Sequence, residues 1–493
     1  MGKQNILFII ADDLGKYTGC YGVKSIQTPN IDKLAAQGTR FDMAFASTAS
    51  CSASRSVIYT GLHTHQNGQY GHTHAWNHFA TFDYIDTAPK VFNELGYQTG
   101  IIGKVHVAPE SVYPWEIREE SGTRDITWVA KRTEAFLDLA KQKDRPFYLT
   151  VGFVDPHRDA TRGGFGNEET ADLSIELPRY RPEDVEVPPF LSDIPEVRKE
   201  LVEYYRSISR FDAGVGLLLT ALEEKRLSES TLVCVISDNG PPFINSKTTL
   251  FDAGVCLPVI VRKPGAKSGV VNPNIISYID FLPTLLDWVG AKDTKSSNSE
   301  SPPRLGRSFL PILESSERLP GDQWQQQIFG SHTFHEVQNY WPTRYTRTAR
   351  FKYHRNIAWR LDFPFATDLY GSLSWEGIRN TKPPVTVGSR PFKDYIFRPQ
   401  EELYDLENDP QEVHNLAGVE EFAEVLKDCR EKTEAWQLQT QDPWLYRDGV
   451  SVVCNQVYAH EGLQIPDRIE VDVENPGNRD VRLWSWSATE QNS

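Results

Sequence analysis

The sequence predicts an α/β protein built on a large, mostly parallel central sheet flanked by helices, with a smaller C-terminal α+β part. Three observations lead there. Short apolar, β-rich runs recur between residues 6 and 261. Each stops abruptly at polar or charged residues, and helical patterns lie between them.

Ile6–Ala11 ends in Asp12-Asp13. Thr99–Ile102 leads into Gly103-Lys104-Val105-His106, and Phe147–Val154 ends in Asp155-Pro156-His157. Leu232–Ile236 ends in Ser237-Asp238-Asn239-Gly240, and Leu257–Val261 ends in Arg262-Lys263. Near-continuous apolar runs of this length suit strands buried on both faces. Thr28-Pro29 opens a helix that Gly38 stops. Glu196–Leu227 is long and amphipathic, with Gly214 and Gly216 expected to bend or interrupt it. Ile279–Val289 is a shorter helix with Gly290 behind it. Lys292–Pro303 turns to Asp, Lys, Ser, Asn and Pro, and reads as an exposed loop.

After about residue 320 the alternation fades. Ile328–Gly330 and Arg350–His354 predict a small antiparallel sheet, and Glu420–Gln437 an amphipathic helix packed on it. The expected domains are therefore 1–325 and 326–493.

Lys and Arg total 52 against 67 Asp and Glu, a net charge of −15 over 493 residues. With no basic block, nucleic-acid binding is not expected. No apolar run approaches the ~20 residues that span a bilayer. The stretch from Met1 to Ala11 is too short for a secretory core, so the chain is expected in the cytoplasm, or outside it where a leader has been removed. The six cysteines are scattered and do not form a disulfide framework.

In sheets of this kind ligands bind beyond the carboxyl ends of the strands, so the terminating residues carry the information. Turn-forming preference explains any single Asp or Asn there. It does not explain Lys and His beside them. Asp12, Asp13, Asp238 and Asn239 offer hard oxygen ligands that suit Ca²⁺ or Mg²⁺, although two unrelated turns would look the same. Cys51-Ser52-Ala53-Ser54-Arg55 opens a helix, where a thiol pKa is expected to fall and anions to gather. Arg55, one turn on, is placed to hold an anionic group. An isolated cysteine in such a turn is more often a buried structural one.

Cys-Ser-Ala-Ser-Arg (51–55) resembles the signature of the sulfatase family, in which the cysteine is oxidised to formylglycine. Matching segments follow in order: Ile-Ala-Asp-Asp-Leu-Gly (10–15), Gly-Ile-Ile-Gly-Lys-Val-His (100–106), Asp-Pro-His (155–157), Ser-Asp-Asn-Gly (237–240), Gly-Arg-Ser (306–308) and Glu-Leu-Tyr-Asp-Leu-Glu-Asn-Asp-Pro (402–410). Together they are specific where each alone is weak. Gly-Leu-His-Thr-His-Gln-Asn-Gly-Gln-Tyr-Gly (61–71), Phe-Gly-Ser-His-Thr-Phe-His-Glu-Val (329–337) and Asp-Pro-Trp (442–444) extend the resemblance toward the family's glucosamine N-sulfatases.

The resemblance implies an alkaline-phosphatase-like fold and a Ca²⁺ site, with Mg²⁺ as the alternative, made by Asp12, Asp13, Asp238, Asn239 and modified Cys51. One hydroxyl of the hydrated aldehyde attacks sulfur, and the other lets the intermediate collapse and expel sulfate. Arg55 would assist attack, His106 the collapse, and His157 would protonate the leaving group. Lys104 and Lys247 would clamp sulfate oxygens. Taken singly, the histidines read as well as hydrogen-bonded strand ends, and the lysines as solvated charges. Three carboxylates against one divalent ion leave −1, and the three bases add +3. The pocket is then positive in an acidic protein, which favours short anionic substrates over a long polyanion.

Five histidines lie between His63 and His78 (His63, His65, His72, His74, His78), and a zinc site is weighed there. With no cysteine or carboxylate cluster beside them, they read as the pocket rim, with His65 and His78 as substrate residues. His335 and Glu336 are expected to reach over the pocket and recognise the sugar. A plain surface-loop role stays open for both sets.

Three departures matter. Ala53 stands where many members have proline. Lys247 stands where the compared N-sulfatases have arginine, and no cysteine follows His157. Lys247 gives a weaker grip on sulfate than a bidentate arginine, and the missing cysteine, with no leader in the sequence as read, points to a bacterial relative.

The expected activity is removal of N-sulfate from terminal glucosamine of heparan sulfate or heparin oligosaccharides. A formylglycine-generating enzyme would be a partner, and a homodimer is left open. The alternatives are an O-sulfatase acting at the 6-position, a phosphoester or phosphonate hydrolase, and an inactive sulfated-glycan binder.

Overall fold

The computed structural model describes residues 4–169, 175–291, 301–445 and Gly462. The predicted loop at 292–303 falls largely outside them, as does the end of the C-terminal part beyond residue 445. Among the described residues, the main sheet has eight strands: β1 (Asn5–Ala11), β2 (Thr39–Phe41), β3 (Gln98–Gly103), β4 (Ile117–Glu120), β5 (Phe147–Gly152), β6 (Thr231–Ser237), β7 (Val259–Arg262) and β8 (Val270–Asn272). Their order is β4-β3-β5-β1-β6-β7-β2-β8, and only β7 runs against its neighbours.

The continuous apolar runs have a physical reason. In β1, Leu7, Ile9 and Ala11 enter one core while Ile6, Phe8 and Ile10 enter the other. β6 does the same, with Val233 and Val235 on one side and Leu232, Cys234 and Ile236 on the other. One face is covered by α1 (Pro29–Gln37), α3 (Ile126–Gln142) and α4 (Pro195–Glu224). The other is covered by α2 (Cys51–Thr60) and α5 (Phe281–Trp288).

Contrary to the sequence expectation, α4 is continuous through Gly214 and Gly216. The glycines are needed for close packing: a Cβ at Gly214 would lie 2.6 Å from the Phe153 ring, and one at Gly216 2.5 Å from Asn30.

The smaller sheet is antiparallel, in the order β9 (Gln327–His332), β10 (Thr343–Thr348), β11 (Phe351–Asn356), β12 (Glu401–Asp405). Helix α6 (Ala423–Gln439) packs on it, with the Trp436 ring stacked 5.2 Å from that of Phe329. The edge strand β9 binds the segment before α2, where Ser331 N–H donates to Ser47 O at 2.8 Å. Tyr345 Oη adds a bond to Ala46 O at 2.7 Å. No helix among the described residues is long and apolar enough to cross a membrane.

Candidate active site

Register brings the strand ends together. Ala11 pairs with Ser237 and Ile10 with Gly152, so Asp12, Asp238 and Asp155 emerge at one edge. Asp238 N–H donates to Ala11 O and Asp12 N–H to Asp155 O, both at 3.1 Å. Asp13, in the left-handed region at φ 65°, turns its carboxylate back toward β6. Its Oδ1 accepts from Asn239 Nδ2 at 2.6 Å.

Cys51 sits at the first position of α2, buried, with Sγ donating to Asp13 Oδ1 at 3.8 Å. Ligand atoms of Asp12, Asp13, Cys51 and Asp238 lie within 4.8 Å of one another. Two oxygens in this cluster, Asp12 Oδ1 and Asn239 Oδ1, are buried without a hydrogen-bond partner. Hard, converging oxygens with unspent lone pairs fit a divalent cation such as Ca²⁺ or Mg²⁺.

Bases close the cluster from three sides. Arg55 Nε donates to Asp238 Oδ2 at 2.8 Å, and its Nη1 to Lys104 O at 3.2 Å. Lys104 Nζ is bonded to Asp12 Oδ2. Lys247 Nζ donates to Asp13 Oδ2 at 2.9 Å and to Asp368 Oδ2 at 2.8 Å, and lies 3.2 Å from His157 Nε2. His157 Nδ1 is tied to Arg158 O at 2.6 Å, which fixes the ring so that Nε2 faces the cluster.

The charges divide the carboxylates. Burial pushes Asp238 up, and the charge of Asp12 adds to it. Burial also opposes ionisation of Asp12, but Lys104, His157 and Arg55 hold it well below the usual carboxylate range. The expectation of an acidified Cys51 thiol is overturned. Burial, with the Asp12 and Asp238 charges, pushes the thiol well up and outweighs Lys104. An unmodified thiol here is a poor nucleophile.

A histidine wall stands beside α2. His106, at φ 59°, shares a bond of 2.8 Å with His74 Nδ1 through its Nε2, and its Nδ1 is buried without a partner. Burial and Lys104 pull its pKa well down. His335 is buried too, with Nδ1 3.0 Å from Ser50 Oγ and Nε2 3.0 Å from His72 Nε2. The structure thus places His335 behind the nucleophile rather than over the pocket mouth. Glu336 holds a neighbouring turn, its Oε2 accepting from Thr367 Oγ1 at 2.7 Å.

His65 is not brought to the site. It is buried against the smaller sheet and α6, its Nδ1 bonded to Ser331 Oγ at 3.2 Å and its Nε2 to Thr440 Oγ1 at 2.8 Å, edge-on to Trp436. His78 is exposed at φ 50°. His72 and His74, read from sequence as part of the pocket rim, do join the site beside His106, and Asp368 joins it without having been assigned a role. Asp368 comes from a short turn (Thr367–Tyr370) that carries no motif. A surface cavity of about 600 Å³, lined by residues such as Lys33, Arg226 and Arg262, is at the other end of the sheet and has no part in this site.

A doubly covered, mostly parallel sheet with hard-ligand carboxylates and bases gathered at one edge is suited to hold a divalent cation and an anionic group together. Residues 4–291 match the sulfatase family model, and the chain belongs to the sulfatase family. It is 37% identical to human N-sulphoglucosamine sulphohydrolase over 472 residues, covering 91% of this chain and 92% of that protein. It is 24% identical to an N-acetylglucosamine-6-O-sulfatase of Bacteroides thetaiotaomicron, over 89% of this chain and 87% of that one. Among solved structures, BT4656 in complex with its substrate D-glucosamine-2-N,6-O-disulfate superposes with a TM-score of 0.64 at 20% identity. That match covers 90% of this chain and 99% of the other. The protein is a sulfatase.

Proposed function

We propose that the protein hydrolyses the N-sulfate of terminal N-sulfoglucosamine in heparan sulfate or heparin oligosaccharides. The observation that carries this reading is the 37% identity, over 91% of the chain, to a protein named for that reaction. Residues 1–325 form the catalytic domain in this reading and 326–493 the smaller one.

Asp12, Asp13, Asp238 and Asn239 would hold Ca²⁺, or Mg²⁺ in its place, with the modified Cys51 as a further ligand. Oxidation of Cys51 by a formylglycine-generating enzyme supplies an aldehyde hydrate as nucleophile, and the cation supplies Lewis-acid polarisation of the sulfate.

The chain's own groups do the rest. Arg55, locked on Asp238, holds its charge beside position 51. Lys104 and Lys247 would neutralise sulfate oxygens from largely buried positions, where fixed charges act more strongly than in water. His106, kept neutral, accepts a proton at Nε2, and His74 lies next along that bond. His157 donates Nδ1–H to Arg158 O and presents a bare Nε2 3.2 Å from Lys247 Nζ, so it would pass to the departing nitrogen a proton that Nε2 takes from the Lys247 ammonium.

Assays of N-sulfoglucosamine and glucosamine 6-O-sulfate side by side test the substrate. Release of sulfate from the N-sulfated sugar should dominate, and preference for the 6-O-sulfated sugar overturns the reading. Mass analysis of the Cys51 peptide from active protein should find the aldehyde. A thiol there removes the nucleophile.

A further inference from the structure

Trp76 stands out at 90% exposure, when an indole ordinarily gains by covering its face. It is not on a loose loop. The turn from His74 to Asn77 is closed by Asn77 N–H donating to His74 O at 3.2 Å, and Asn77 Nδ2 reaches the same oxygen at 3.2 Å. Asn77 Oδ1 then accepts from Val337 N–H at 2.8 Å, which pins the turn to the smaller domain. Phe79 N–H donates to His72 O at 3.1 Å and closes the base. Ala75 and His78 are held at φ 52° and 50°, a conformation that persists in such residues only where the surroundings impose it.

The position is as informative as the exposure. Trp76 is two residues from His74, at most about 7 Å along the chain. The His74 ring is bonded to His106 Nε2 at 2.8 Å, so the turn rises directly from the catalytic wall. His74 is exposed whereas His72 is buried, so the site opens on this side. Val337, 49% exposed, flanks the same turn.

We propose that Trp76 is a sugar-stacking platform at the mouth of the site. Its indole would cover the apolar C–H face of the pyranose next to the sulfated one, and so set a preference for oligosaccharides over single sugars. This rests on the reading of the site as a glycan sulfatase. A sulfate clamped by Lys104 and Lys247 fixes one end of the glycan, and the next ring then emerges past His74. A pyranose, with apolar faces and a polar rim, is the ligand that an indole at a wet rim recognises.

The test compares wild-type protein with Trp76→Ala and Trp76→Phe on N-sulfoglucosamine and on an N-sulfated heparan tetrasaccharide. Trp76→Ala should raise KM for the tetrasaccharide about tenfold, what covering one aromatic face contributes, with little change in kcat. KM for the single sugar should be unchanged, and Trp76→Phe should restore most of the loss. In a Cys51→Ala background, calorimetry should show the same selective loss of tetrasaccharide affinity. Equal effects on both sugars, or none on the tetrasaccharide, overturn the proposal. A change of oligomeric mass with unchanged sugar binding also overturns it, since Trp76 would then join copies of the chain. Failure of the wild-type enzyme to release N-sulfate from the single sugar is a separate result, which strikes the substrate reading, while the binding comparison still decides the platform.

Discussion

Two buried carboxylate clusters leave the same edge of the sheet, and they are finished differently. Asp155, after β5, is closed. Arg210 Nε donates to its Oδ2 and Arg210 Nη2 to its Oδ1, both at 2.6 Å, Arg124 Nη1 adds another at 2.6 Å, and Ser207 Oγ one at 3.0 Å. Burial opposes its charge, but the two guanidiniums win and its pKa falls. Asp12, Asp13 and Asp238 are left open. Their bases are monodentate or distant, Asp12 Oδ1 has no partner, and Asp238 is pushed up. Arginine satisfies a structural carboxylate in full, whereas a site for a cation and an oxyanion keeps lone pairs unspent.

Substitutions at the two clusters should fail in different ways. Cys51→Ala at the open cluster should cut turnover about 10³-fold or more, with the denaturant midpoint nearly unchanged. Arg210→Ala at the closed one should cost about 3–5 kcal/mol of stability, because it strips a buried charge of its main partner. Urea titration reads it, and a loss below the error of that measurement would remove the contrast.

Asp238 and Asp155 should also answer pH with opposite signs in the metal-free protein. Asp238 is raised from 3.8 to about 7, so the fold holds a proton that the unfolded chain releases. The stability it contributes is full below 3.8 and declines as pH rises to about 7. Asp155 is lowered, so its contribution is present above 3.8 and is lost as pH falls through its folded value. Stability measured across pH for Asp238→Asn and Asp155→Asn should lose these two slopes separately, and added Ca²⁺ should abolish the first.

The smallest effect is expected at Asp368, which shares Lys247 with Asp13. Asp368→Asn lets Lys247 settle on Asp13 alone and should lower kcat/KM about tenfold without unfolding the protein. An unchanged kcat/KM would make Asp368 a bystander.

The open cluster was readable because each member terminates a strand or opens a helix. Asp12-Asp13, Lys104, His157 and Asp238-Asn239 announce themselves by interrupting apolar runs, and the alternation of Ile6–Ala11 between two cores explains those runs. Cys51 was visible in its signature, but its titration was misjudged. A helix terminus is a local property, whereas the burial that raises the thiol arises from strands far apart in sequence. Asp368 and the His72–His335 pair were illegible for a related reason. They depend on where the smaller sheet docks, and no spacing within 326–445 records that. His65 shows the reverse, a histidine in a persuasive segment that the fold spends on Thr440 and Trp436.

The bonds from Tyr345 and Ser331 to Ala46 and Ser47 have a temporal meaning. The residues just ahead of the nucleophile are clasped by strands that the ribosome makes nearly 300 residues later. Until those strands emerge, Cys51 lies on an unfinished surface, and afterwards it is sealed. If Cys51 is oxidised as the proposed function requires, the modifying enzyme would have to reach it on the growing or still-open chain. A chain cut short near residue 325 would leave the segment ahead of the nucleophile unclasped.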